Sequence, residues 1–206
     1  MLHGGCGGFK TLKMAITYQA MVMHDGFVLM AIEARLFYVA ILCVLTKKSV
    51  FMSAYFANIA WQRQAQEAFT DNQYSRLHQW QFDEGVSIPA SSSVHAVPLP
   101  FSVGAAVDPE EALVAAVSSC HMLWFLGICA KKGWVVESYQ DQAEGIMAKN
   151  AQGREAITQI YLRPNIVFGG EVLPDAAAIA KVHELAHHSC YIANSILAEV
   201  SIEAPL

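Results

Sequence analysis

The chain has 206 residues, 54% of them hydrophobic and 15% charged, with a net charge of −5. That is enough apolar sequence to bury a substantial core, so global disorder is excluded and one domain with an extension is the expected organisation. The charge divides at Met52. Residues 1–51 carry five basic and two acidic side chains, a balance of +3, which leaves −8 on residues 52–206 and makes nucleic acid an unexpected partner.

Residues 27–45, FVLMAIEARLFYVAILCVL, approach membrane-spanning length, but Glu33 and Arg35 leave an uninterrupted apolar run of ten residues. A charge at the bilayer centre costs about 2.5 to 3.5 kcal/mol, so a membrane anchor is the lesser expectation. The favoured one is that Met52 is the natural start and that 1–51 is over-translated or poorly ordered sequence. The Gly-rich MLHGGCGG start, followed by a broken apolar pattern, is not expected to be a cleavable signal peptide.

From Met52 the pattern is regular. SAYFANIAWQR (53–63) alternates as a strand, FTDNQY supplies turn chemistry, and HQWQFDEGVSI (78–88) reads as a second strand. The Ser- and Pro-rich stretch 89–109 is expected to cross irregularly to a helix. Asp108 caps that helix, Pro109 opens it, and Glu110 and Glu111 occupy its first turn. It should end near Gly133 and, being apolar nearly all round, should be buried in the fold or at a subunit interface. Strands follow at 134–148 and 155–168, joined by the KNAQGR turn. Pro174 and Asp175 open a second helix, about 174–189, and ILAEVSIEA (196–204) forms a last strand.

Five cysteines, Cys6, Cys43, Cys120, Cys129 and Cys190, are widely spaced without a CxxC pair. This suggests a reducing, cytoplasmic setting in which a functional thiol stands alone. By position alone, Cys120 and Cys129 both read as core thiols. Nine residues apart, they face opposite sides of the helix and cannot pair. Packing of the two helices would let Cys120 and Cys190 meet.

HELAHHSC (183–190) also contains a short zinc-peptidase pattern, with His183 and His187 one turn apart and Glu184 between them. A third ligand is missing in a suitable place, because the acids that follow, Glu199 and Glu203, lie in a predicted strand. His183 and His187 are therefore expected at the surface or around the site, with no metal and no cofactor. His121 is expected to be a packing or hydrogen-bonding neighbour of Cys120.

VDPEEALVAAVSSCHM, followed some seventy residues later by AHHSCYIANS, resembles the two cysteine motifs of the OsmC/Ohr family of osmotically inducible and organic hydroperoxide resistance proteins. The resemblance covers about residues 53–204. It implies an α+β fold of antiparallel sheets with two central helices, assembled as an intertwined homodimer. It also implies a thiol peroxidase acting on organic hydroperoxides, recharged by a dithiol or a lipoylated protein. In that scheme Cys120 becomes a sulfenic acid and Cys190 resolves it to a disulfide. The family's Arg and Glu match Arg76 and Glu110, the guanidinium favouring the thiolate and the carboxylate holding the guanidinium.

Glu110 and Cys120 are separated by about 15 Å along an unbroken helix, a gap one Glu side chain does not span. A wide site bridged by Arg76, a break in the helix, or donation of Glu110 to a partner subunit each meets this constraint. The sequence departs from the family where Asp108 replaces an Asn before Pro109, where Tyr191 replaces a Pro after Cys190, and in the bulky HMLWF after Cys120. The alternative to an enzyme is a non-catalytic member of the fold that binds a ligand or serves in stress.

Overall fold

A computed structural model describes residues 53–203. The expectations for residues 1–51 lie outside the described residues. Among the described residues the architecture is α+β, with two α-helices and three small sheets.

The first sheet is an antiparallel meander of β1 (Ala57–Ala60), β2 (His78–Phe82) and β3 (Ser87–Ala90). The predicted strand 78–88 is thus two strands. Asp83–Gly85 forms a tight turn in which Glu84 (φ 57°) and Gly85 (φ 81°) take left-handed backbone that breaks the ladder. β1 is exposed along its whole length, as are Tyr55 and Phe56 just before it.

Helix α1 (Pro109–Lys131) begins as expected. Asp108 Oδ1 accepts from the Glu111 backbone N–H at 2.8 Å, and the Glu111 carboxylate reaches back to the Asp108 N–H at 3.4 Å, a reciprocal cap that satisfies two orphan donors. It ends at Gly133, whose φ of +75° lets the Gly133 and Trp134 N–H groups close on the Ala130 and Cys129 carbonyls.

The segments 134–148 and 155–168 form one bent hairpin about an Asn150–Gly153 turn. Each splits at the bend. β4 (Val135–Asp141) pairs with β7 (Pro164–Gly169), and β5 (Glu144–Lys149) pairs with β6 (Glu155–Leu162). Asp141 pins the corner by accepting from the Arg163 N–H at 2.6 Å and the Ser118 hydroxyl at 2.5 Å. Helix α2 (Ala176–Ser189) is capped by Asp175, one residue inside the predicted start. β8 (Glu199–Ile202) joins β6 in parallel, the one parallel strand pairing in an otherwise antiparallel set among the described residues.

α1 divides its buried face between two cores. Its C-terminal half, through Phe125 and Cys129, packs with Val182 and Ala186 of α2 over the β4–β7 pair, where Val136, Ile166 and Phe168 close the layer. Its N-terminal half, through Val114 and Val117, packs on Ile157, Ile160 and Leu162 and on the β8 residues Val200 and Ile202. Gly145 permits that approach, since a Cβ there would stand 2.6 Å from Val114 Cγ2. The remaining circumference of α1 is open. Ala116, Ser119, Leu123 and Gly127 recur at three- and four-residue spacing and are exposed, Leu123 at 63%.

Candidate functional site: two thiols in the helix seam

α1 and α2 pack against each other with their sequences running in opposite senses. Val117 and Cys120 on α1 meet Cys190 at the C-terminal cap of α2, while the next layer along α1, His121, meets His183 earlier in α2. Cys120 and Cys190 are free thiols and side-chain neighbours. Cys190 is 1% exposed, its Sγ lies 4.0 Å from the Val117 carbonyl oxygen, and the Ala193 N–H donates to it at 3.4 Å. Burial, helped by the adjacent Cys120, pushes the Cys190 thiol up to about 11, and the backbone N–H groups of Ala193 and Ile192 oppose that rise. Reduced Cys190 is therefore a protonated thiol at neutral pH.

Trp124 and Tyr191, one turn after Cys120 and one residue after Cys190, meet edge to face with centroids 5.6 Å apart. Cys129 is buried in the core beyond them, and burial raises its thiol. The placement follows from sequence: nine residues carry it half a turn away from Cys120.

The Arg76 guanidinium is held inside its own loop. It donates to the Asn72 carbonyl at 3.0 Å, to Asn72 Oδ1 at 2.7 Å and to the Tyr74 carbonyl, and it stacks 3.9 Å over the Tyr74 ring. Glu110 has no ion-pair or hydrogen-bond partner among the described residues. It lines an open groove of about 1180 Å³ with Val114, Ser118, Met122 and the β5–β6 residues Met147 and Ile157. Neither thiol lines this groove, and its α1 residues Glu111, Val114, Ala115, Ser118 and Met122 lie across the helix from Cys120. A single chain thus brings Cys120 and Cys190 together and does not bring Arg76 to Glu110.

Two of the histidines form a buried pair. His183 is buried at 5% exposure, and its Nδ1 lies 3.0 Å from Nε2 of His121, which is 1% exposed. The two rings are 8° from parallel. His183 is therefore a core residue in the layer beside the thiols, which corrects the surface position and keeps the one around the site. Burial, then the neighbouring His183 and His187, lowers His121 to about 4, and burial lowers His183. Glu184 points outward to Lys181 at 2.7 Å, so the zinc-peptidase pattern does not turn its base and both histidines toward one cleft.

The pairing of His121 with His183 and the Ser118–Asp141 bond were not legible in sequence. Their partners lie 62 and 23 residues apart, and no spacing rule links them.

A family profile described as OsmC-like protein matches residues 102–204, the span containing α1, both thiols and the hairpin between them. The chain belongs to the OsmC-like family. An OsmC-like protein of unknown function from Vibrio cholerae is 54% identical, with a TM-score of 0.74 over 75% of this chain and 100% of its own. The uncharacterized protein YmaD of Bacillus subtilis is 27% identical over 101 residues, 48% of this chain and 67% of YmaD. An organic hydroperoxide resistance protein from Elizabethkingia anophelis shares the OsmC fold, with a TM-score of 0.54 at 13% identity over 75% of this chain and 96% of its own.

Proposed function

We propose that this OsmC-like protein is a cysteine-based peroxidase that reduces organic hydroperoxides. The observation carrying this reading is the seating of two free thiols side by side in the α1–α2 seam, one partly exposed and one buried. Cys120 as thiolate attacks the terminal oxygen of ROOH. The O–O bond breaks, the alkoxide leaves and is protonated to ROH, and Cys120 carries the sulfenic acid. Cys190 then loses its proton and attacks the Cys120 sulfur; the S–O bond breaks, hydroxide leaves as water, and a disulfide forms. A dithiol or lipoylated protein returns both sulfurs to thiols. Trp124 and Tyr191 make the approach apolar, which favours an alkyl or aryl hydroperoxide over hydrogen peroxide.

The protein acts as a homodimer in this reading. Going round α1 at 100° per residue, Cys120 lies between the buried face of Val117 and His121 and the open stripe of Ala116, Ser119, Leu123 and Gly127. A second copy packed on that stripe borders Cys120 directly. In this arrangement Glu110 is donated across the interface, one of the ways of meeting the constraint of about 15 Å.

Anaerobic titration of the reduced protein with cumene hydroperoxide, followed by peptide mass mapping, tests the proposal. One disulfide between Cys120 and Cys190 per peroxide consumed is the expected result. Thiols left unreacted by excess peroxide would overturn it and leave a non-catalytic member of the fold.

A further inference from the structure

The buried imidazole pair has no part in the chemistry above, yet it occupies the layer of the helix seam next to the two thiols. We propose that His121 and His183 are positioning residues: their hydrogen bond sets the register of α1 against α2 that keeps Cys190 within reach of Cys120, so the pair governs disulfide closure rather than attack on peroxide. This inference rests on the thiol-peroxidase reading.

The buried pair is costly. Each imidazole spends one nitrogen on the 3.0 Å bond, and His121 Nδ1 and His183 Nε2 remain buried without a partner. A buried, unpaired polar atom is costly, and two apolar side chains would fill the seam without that penalty. What apolar packing lacks is direction. The apolar side chains that surround the pair, Phe125, Val182 and Ala186, attract without regard to direction and so tolerate a shift of register. The N–H···N bond does not, since a slip would strip both rings of their partner.

The consequence for the thiols is geometric. One helical turn is about 5.4 Å, and a disulfide forms only when the Cα atoms lie within about 4.4 to 6.8 Å. A seam displaced by a turn carries Cys190 out of that range while leaving Cys120 on α1, still able to meet peroxide. The Phe125 ring, 4.5 Å from His183, holds the pair from below, and His187, Tyr139 and Asp141 are the other titratable groups near it.

The test compares the reduced full-length protein with H121F/H183F and H121Q/H183N. Gln at 121 and Asn at 183 replace the bonding Nε2 and Nδ1 by amides. Each protein receives one equivalent of cumene hydroperoxide. The Cys120 sulfenic acid is trapped with dimedone, disulfide is counted by mass, and Tm is recorded. The phenylalanine protein should form sulfenic acid at the wild-type rate with no loss of Tm, yet close the disulfide about tenfold or more slowly. The amide protein should recover closure. Wild-type closure in a folded H121F/H183F protein overturns the positioning role and leaves the peroxidase reading intact; a wild-type Cys120 that never oxidises overturns both. Should H121F/H183F not fold, H121Q/H183N decides, because a tenfold loss of closure at wild-type Tm overturns the proposal.

Discussion

The Ala193 N–H donates to Cys190 Sγ at 3.4 Å, so the turn that follows α2 is folded around the second thiol. Asn194 closes the same turn by donating to the His188 and Cys190 carbonyls at 2.9 and 3.0 Å. Cys190 is thus held in place by backbone on one side and by α1 on the other, which suits the resolving thiol of the proposed scheme.

Exchange of each thiol should separate the two chemical steps. Cys120→Ser is expected to abolish hydroperoxide consumption with little change in Tm. Cys190→Ser should permit one oxidation per chain and leave a sulfenic acid that dimedone traps. Undiminished turnover in Cys120→Ser, or sustained turnover with a dithiol in Cys190→Ser, would remove the assigned roles.

Acid should weaken the fold through His121. Its native pKa is lowered to about 4 from an ordinary 6.5, first by burial and then by His183 and His187. Between those values the unfolded chain takes up a proton that the native state refuses. Stability is therefore full above 6.5 and falls as the pH drops toward 4, by up to ~3 kcal/mol. Urea titrations of wild type and His121→Phe at pH 7 and 4.5 measure this. The variant should lose less stability across the interval, and identical losses would contradict the prediction.

Gly145 should tolerate no larger residue. A Cβ at this position meets Val114 Cγ2 at 2.6 Å in the contact between α1 and the β5–β6 pair. Gly145→Val should cost about 1 to 3 kcal/mol through overpacking, read as a lower midpoint in chemical denaturation. A stability equal to wild type would mean that α1 yields at this contact.

The open face of α1 should be the association surface. Leu123 is 63% exposed at the middle of the open stripe of α1. Leu123→Glu places a charge in the centre of the proposed interface. Light scattering after size exclusion should give a dimer for wild type and a monomer for the variant, with peroxidase activity lost together with assembly. A monomeric, active wild type would refute the dimeric site.

The sequence alone determined what local rules govern. The Asp108–Pro109–Glu110–Glu111 start and the Gly133 stop delimit α1 because capping and left-handed glycine act within a few residues. Helical periodicity likewise separated Cys120 from Cys129. The family resemblance was legible for the same reason, since each of its two motifs is a short contiguous string. Tertiary structure decided everything that depends on distant pairing. It split the two long strands at the Asp141 corner, turned β8 parallel to β6, buried His183 against His121, and tied Arg76 into its own loop away from Glu110. HELAHHSC illustrates the division. Its spelling is compatible with a surface helix, a metal site or a core seam, and the choice falls to whichever side chains α1 brings opposite it, which no spacing within the eight residues encodes.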